Sequence, residues 1–127
     1  MKTICIILSI FLMCLFTSCE KDRWQHYPLK SANQIEACGT NDPLNKLIWL
    51  RDLILNSMGS HDFISIVWVK EYNQEDIFIV DGGVSSVAYY VFNCDGVRIY
   101  PSDFSIYNGL TGMPNDRYLL YKSDILP

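Results

Sequence analysis

The chain has 127 residues, of which 50% are hydrophobic and 19% are charged, and its formal net charge at pH 7 is −4. This length and composition fit one compact domain, and they exclude two ordinary domains, an intrinsically disordered chain and a coiled coil. The 10 basic residues are scattered among 14 acidic ones, so the sequence predicts no basic surface for nucleic acid.

The first residues are typical of a lipoprotein signal peptide. A basic residue precedes an uncharged apolar run at 4–16, which is too short to cross a membrane as a helix. The run leads into Leu-Phe-Thr-Ser-Cys at 15–19, which resembles the lipobox of bacterial lipoproteins, with phenylalanine where leucine is usual. The resemblance implies a signal peptide of residues 1–18, cleavage just before Cys19, and acylation of the Cys19 sulfur. The alternative is a secretory signal whose cysteine is incidental.

The residues after Cys19 indicate where the mature chain lies. Glu20 and Asp22 follow the cysteine directly, and this acidic start looks like the surface-export signals of Bacteroidetes lipoproteins. It implies a lipid-anchored protein of the outer membrane that faces outward. The segment 19–37 has no sustained apolar periodicity, so we predict a tether there, followed by a single domain at 38–127.

A helix is predicted to begin at Asn-Asp-Pro, residues 41–43. Asparagine or aspartate can accept hydrogen bonds from the first free amides, and proline at the first helical position loses none. The helix is expected to end at Gly59. The apolar residues on one face of a continuous helix are Leu44, Leu47, Ile48, Leu50, Ile54, Leu55 and Met58. Trp49 and Leu53 fall opposite this face, so we expect the helix to be covered on more than one side.

Beyond the helix the apolar pattern changes to a period of two, which is typical of strands. The predicted strands are 63–70, 77–80, 85–93, 97–100 and 118–122. Short turn sequences separate the first four, so we expect an antiparallel meander. One N-terminal helix packed on a four- to five-stranded antiparallel sheet gives an α+β fold.

Several short motifs lie along the predicted domain. They are Cys-Gly at 38–39, Asn-Asp-Pro-Leu at 41–44, Trp-Leu at 49–50, Glu-Tyr-Asn at 71–73 and Asn-Cys-Asp-Gly at 93–96. Together they resemble a group of small Bacteroidetes lipoproteins of uncharacterised function. The resemblance spans roughly 38–100, and it implies the compartment and the architecture but no activity.

Two cysteines remain in the domain once the signal peptide is removed and Cys19 carries lipid. Outside the cytoplasm, Cys38 and Cys94 predict a disulfide, which would contribute at most about 4 kcal/mol to stability. Two buried thiols or a nucleophilic cysteine are the alternatives. His26 and His61 add no zinc-like spacing, so no metal site is expected, and no motif predicts a cofactor.

No catalytic constellation is visible in the sequence. The acidic residues near strand ends are Glu71, Glu75, Asp76 and Asp81. An acid/base pair among them, or His61, would support a small extracytoplasmic hydrolase, whereas solvated loop charges are the simpler interpretation.

Both faces of the predicted sheet are apolar, yet a single helix covers only one. The candidate covering residues near the C-terminus are Phe104, Ile106, Tyr107 and Leu110. The alternative cover is a partner protein, a second copy or a ligand, and in that case Trp68, Tyr89 and Tyr90 form the contact surface. We interpret the chain as a membrane-anchored, non-enzymatic module that binds a protein or another ligand. A glycan-binding accessory lipoprotein is an alternative, as is the hydrolase.

Overall fold

The computed structural model describes residues 28–58, 63–82 and 89–124. Its elements are the helices α1 (Pro43–Lys46) and α2 (Ile48–Ser57), the strands β1 (Ile66–Tyr72), β2 (Glu75–Asp81), β3 (Tyr90–Phe92), β4 (Arg98–Ile99) and β5 (Leu119–Lys122), and a 3₁₀ helix at Phe104–Tyr107. Two short helices followed by an antiparallel sheet confirm the predicted α+β fold. The signal peptide 1–18, the lipidation site Cys19 and the part of the tether up to residue 27 lie outside the described residues.

The described strands form one antiparallel sheet in the order β4-β3-β2-β1-β5. Strands β1 to β4 are the predicted meander. Asn73 and Gln74 connect β1 to β2, and both have left-handed backbone angles (φ 52° and 65°), as a tight hairpin turn requires. Strand β5 returns along the other side of β1, with Val67 opposite Tyr121. The short strand β4 therefore lies at one edge of the sheet and β5 at the other.

The predicted helix is broken into two at Leu47. Helix α1 begins at Pro43, as expected, but Leu47 has extended backbone angles (φ −83°, ψ 99°) and α2 starts after it. A continuous helical wheel therefore does not apply across this position. Ile48, which the wheel placed on the packed face, is 74% exposed, and Trp49, which it placed opposite, packs against the core.

Two apolar cores lie on the two faces of the sheet. The core under the helices contains Leu44, Leu50, Ile54, Val67, Val69, Phe78, Val80 and Leu120. The core on the other face contains Trp68, Ile77, Ile79, Val91, Ile106 and Leu119, with Tyr107, Leu110 and Tyr118 packed against it. The C-terminal segment 104–119 therefore covers the second face through Ile106, Tyr107 and Leu110, as the first of the two alternatives predicted. Phe104, which was expected in the same cover, is 76% exposed instead. No helix in the described ranges is long and apolar enough to cross a membrane.

Residues 28–37, which we call the N-terminal strap, pack on the domain although the sequence placed them in the tether. Leu29 is buried, and its amide N–H donates to Asn45 Oδ1 at 2.9 Å while its carbonyl accepts from Asn45 Nδ2 at 3.0 Å. The Ala32 amide donates to the carbonyl of Leu120 at 2.8 Å. Within the described residues, the packed domain thus begins before residue 38.

Candidate functional site

A disulfide joins the turn before α1 to the hairpin between β3 and β4. Cys38 and Cys94 are bonded, with a Cα–Cα distance of 5.7 Å, which confirms the predicted pair. The Asp76 carboxylate accepts the Cys38 amide at 2.7 Å and so supports the turn. The ligand atoms of these three residues lie within 4.8 Å of one another, but bonded sulfurs are not thiolates and do not act as metal ligands here.

Trp49 holds the same hairpin from the helix side. Its indole Nε1–H donates to the Cys94 carbonyl at 2.8 Å. The ring meets Phe78 edge-on, with centroids 5.3 Å apart, and lies 5.7 Å from the ring of Phe92. Because the indole also lies directly against Gly96, the β3–β4 hairpin is fixed by a disulfide and by an aromatic anchor.

The hypothesis that Trp68 belongs to an exposed contact surface is wrong. Trp68 is only 3% exposed, and its Nε1–H donates to the Thr111 carbonyl at 3.0 Å and to Asp116 Oδ2 at 3.2 Å. The same carboxylate accepts the amides of Thr111 and Tyr118. Trp68 is therefore a core residue whose polar atom is satisfied by the covering segment.

Tyr89 and Tyr90 are partly exposed, at 43% and 36%, but they do not share a surface. Neighbouring residues of an extended chain point to opposite sides. Tyr89 contacts the ring of Trp68 edge-on and stacks on Tyr107, with centroids 5.3 Å apart. Tyr90 lies opposite Val80, on the face that carries the helices. The structure thus brings Trp68 and Tyr89 together and separates Tyr90 from them.

A cleft of about 370 Å³ opens beside Tyr90, between α2 and the sheet. Its principal lining residues are Leu53, Ile64, Val80, Tyr90, Phe92 and Arg98, and we call it the Tyr90 cleft. Four of these side chains are hydrocarbon. Ser57 also lines the cleft, where its hydroxyl donates to the Ile54 carbonyl and accepts the Ile64 amide. The described lining is therefore an apolar surface with one cationic group.

Arg98 supplies that cationic group and was missed in the sequence. Its guanidinium carbon lies 4.4 Å from the centre of the Tyr90 ring and 5.0 Å from that of Tyr100. Within the described ranges, these rings are the contacts that the guanidinium makes. Arg98 and Tyr100 are two positions apart in an extended segment, so the sequence alone places their side chains on the same face of the sheet. Their position beside Tyr90 depends on the register between β3 and β4, which the sequence does not give.

The strand-end carboxylates do not form the acid/base pair that a hydrolase would need. Glu71 and Glu75 are exposed, and Asp76 is hydrogen bonded to Cys38. Burial raises the pKa of the Asp81 carboxyl above its ordinary value. His61, the other candidate for a hydrolase, lies outside the described residues.

Comparison with protein-family models, curated proteins and solved structures finds no match to the chain. No ligand or activity is therefore carried over from a relative. What supports a function is the lipobox-like motif in the sequence, the disulfide and the chemistry of the Tyr90 cleft.

Proposed function

We propose that the protein is an outer-membrane lipoprotein, held by acylated Cys19 outside the cytoplasm, whose domain binds a small ligand without converting it. The lipobox-like residues 15–19 support the anchor, and the acidic residues after them support an outward-facing position. The resemblance to small Bacteroidetes lipoproteins supports the same location. The disulfide supports it independently, because such bonds persist in oxidising compartments.

One observation carries the binding role: the Tyr90 cleft has the volume and lining of a small-molecule site. Its volume of about 370 Å³ lies in the range of such sites, which are mostly apolar with few polar groups. Among the described lining residues there is no carboxylate, histidine or cysteine. Carboxylates and histidines are the usual bases of hydrolases, and a serine nucleophile needs such a base to activate it. Ser57 lines the cleft, but its hydroxyl is hydrogen bonded to the backbone of Ile54 and Ile64, so binding fits the described lining better than hydrolysis does.

The anchor is tested by labelling the native host with a fatty-acid analogue. The intact protein is expected in the envelope fraction with the label attached. Cys19→Ala should remove the label, whereas Cys14→Ala, in the signal peptide, should retain it. Label on the Cys19→Ala variant, or full-length unlabelled chain in the cytosol, would contradict the anchor.

The binding role is tested by native mass spectrometry of protein released from the envelope. We expect a bound small molecule on the natural chain and its loss in Leu53→Trp, because the larger ring fills the cleft. Ile48→Trp is the matched control, since it adds the same ring to an exposed position of the same helix. Equal occupancy of both variants, or no bound molecule on the natural chain, would refute the binding role at this cleft.

A second candidate function is glycan binding on the opposite face. Phe104 is 76% exposed and its ring centroid lies 6.4 Å from that of Tyr107, which stacks on Tyr89. Sugar rings present C–H faces that pack on aromatic rings. Phe104→Ala should then weaken retention on immobilised envelope polysaccharide, while Tyr100→Ala should not. Equal retention of the two variants and the natural chain would exclude this candidate.

A further inference from the structure

The floor of the Tyr90 cleft is hydrocarbon contributed by three separate elements. Leu53 comes from α2, Val80 from β2 and Phe92 from β3, and Ile64 precedes β1. Phe92 and Leu53 are partly exposed at the edge of the core under the helices. A ligand that removes this apolar surface from water gains free energy in proportion to the area covered.

The rim of the cleft is cationic, and the cation is held in place before any ligand arrives. Arg98 is an exposed residue of the edge strand β4, but its guanidinium carbon lies within 5.0 Å of the centres of two rings, those of Tyr90 and Tyr100, and these contacts restrict it. Restricting a long side chain in advance reduces the conformational entropy that binding would otherwise cost.

The guanidinium of Arg98 has N–H groups that can donate hydrogen bonds to a ligand. Arginine carries five N–H donors, and aromatic rings contact it through their π-faces, which leaves those donors without a carboxylate or carbonyl acceptor among the described residues. The fork of N–H groups matches the two oxygens of a carboxylate and binds them through parallel hydrogen bonds. No second lysine or arginine lines the described part of the cleft, so the charge of the site suits a ligand with a single negative charge.

We propose that the Tyr90 cleft binds a fatty-acid-like amphiphile, with its carboxylate on Arg98 and its hydrocarbon chain on the apolar floor. The proposal rests on the proposed binding function and names the ligand class of that same site. A cationic amphiphile would meet the guanidinium as a like charge. An uncharged amphiphile would bring no carboxylate to the N–H donors of Arg98, which would then stay hydrogen bonded to water.

The first test measures how affinity depends on chain length. The probes are hexanoate, octanoate and decanoate below their micelle concentrations, added to a chain of residues 20–127, which contains every described element and both cores. Binding is followed by amide chemical shifts in ¹H–¹⁵N spectra, and the shifts should centre on the lining residues. Each added methylene should tighten binding about fourfold until the floor is covered. Equal affinities along the series would overturn the proposal.

The second test separates the head group from the hydrocarbon. Arg98→Gln should weaken octanoate binding roughly tenfold and leave the affinity for octanol unchanged. Arg117→Gln is the matched control, because Arg117 also lies over a tyrosine ring, that of Tyr118, but away from the cleft. The Arg117→Gln variant should bind octanoate with the same affinity as the natural chain.

Three results would overturn the proposal in distinguishable ways. Equal affinity of the natural chain for octanoate, octanol and octylammonium would leave the cleft as a binding site but remove the role of Arg98. Inorganic phosphate binding as tightly as octanoate would mark a simple anion site. An absence of shifts in the lining amides with every probe would overturn both this ligand class and the binding function on which it rests.

Discussion

Gly96 lies against the face of the Trp49 indole at a position where the backbone is left-handed. Its φ is +76°, and a Cβ added there would lie 2.6 Å from Trp49 Cγ and 2.7 Å from Cδ2. The ring has no room to retreat, because its Nε1–H is bonded to Cys94 and it packs on Phe78 and Phe92. We expect Gly96→Ala to lower the free energy of unfolding by roughly 2–5 kcal/mol, the sum of backbone strain and overpacking.

Gly109 provides the matched control for this substitution. Its φ is +73°, but an added Cβ would meet nothing within 4 Å. Gly109→Ala should therefore cost only the left-handed backbone conformation, about 1–2 kcal/mol. Urea unfolding of both variants with the disulfide intact measures the difference, and equal losses would show that contact with Trp49 contributes nothing.

Tyr121 is expected to lower the free energy of unfolding at alkaline pH. The side chain is buried on β5, and burial raises the pKa of its phenol above the ordinary value of 10.0. Above that value the unfolded chain loses this proton while the folded chain keeps it. The unfolded state then binds fewer protons, so the free energy of unfolding falls as pH rises, by at most about 1.4 kcal/mol per pH unit for this one group.

Tyr121→Phe should reduce this alkaline loss of stability, because it removes the buried ionisable group. The measurement is urea unfolding at intervals from pH 9 to 11 (about one unit either side of the ordinary tyrosine pKa). Tyr100→Phe is the matched control, because it removes the same hydroxyl from a side chain that is 79% exposed. The same slope in both variants would contradict the role of Tyr121.

At the scale of the elements, Asn45 of α1 fastens the N-terminal strap. Its side chain exchanges two hydrogen bonds with the backbone of Leu29, and the strap continues to the bond between Ala32 and Leu120. Asn45→Ala should loosen the strap without unfolding the domain, so that the amides of Leu29 and Ala32 exchange with deuterium roughly tenfold faster. Asn56→Ala, at an exposed position of α2, should leave these amides unchanged. Unchanged exchange after Asn45→Ala would mean that other contacts hold the strap.

The packing of the N-terminal strap could not be predicted from the apolar periodicity of the sequence. Strands β1 and β2 were predictable because their runs of β-branched and aromatic residues are buried on both faces of the sheet, and β5 was predictable from its run of leucine and tyrosine. The strap has no such period, because it is held by the burial of Leu29 and Ala37 and by separate hydrogen bonds, among them those with the Asn45 side chain and the Leu120 carbonyl. The break at Leu47 was equally hidden, because leucine favours a helix and no Gly or Pro follows it.

The candidate site was predicted least well, and the reason is the distance along the chain between its parts. Alternation along β3 identified Tyr90 as a residue to consider, but its partner Arg98 comes from the next strand through the hairpin register. The burial of Trp68 depends on Thr111 and Asp116, which lie more than 40 positions away. Pairings of this kind are set by the packed molecule and leave no local pattern.

At the scale of the whole molecule, the sheet is covered on one face by the helices and on the other by the segment 104–119. The disulfide has a sequence separation of 56 and encloses both helices and strands β1 to β3. Strand β5 and the strap lie outside this loop. By restricting the unfolded chain, the bond stabilises the folded domain, since the strands that it encloses contribute to both cores.

Removing the bond should lower the free energy of unfolding by roughly 2–4 kcal/mol. The measurement compares the natural chain, with and without reductant, to the double variant Cys38→Ala/Cys94→Ala, whose stability reductant should not change. Mass spectrometry should show a gain of two hydrogen atoms on reduction of the natural chain. Unaltered stability after complete reduction would contradict the expected contribution.

The same comparison connects stability to the cleft. Arg98 lies on the hairpin that Cys94 and Trp49 hold from its two sides, so the position of its guanidinium depends on both attachments. At a temperature where the reduced chain stays folded, octanoate should bind it more weakly than the oxidised chain, because Arg98 is less restricted before binding. The affinity for octanol should change less. An equal loss for both probes would place the effect of the disulfide on the apolar floor instead of on Arg98.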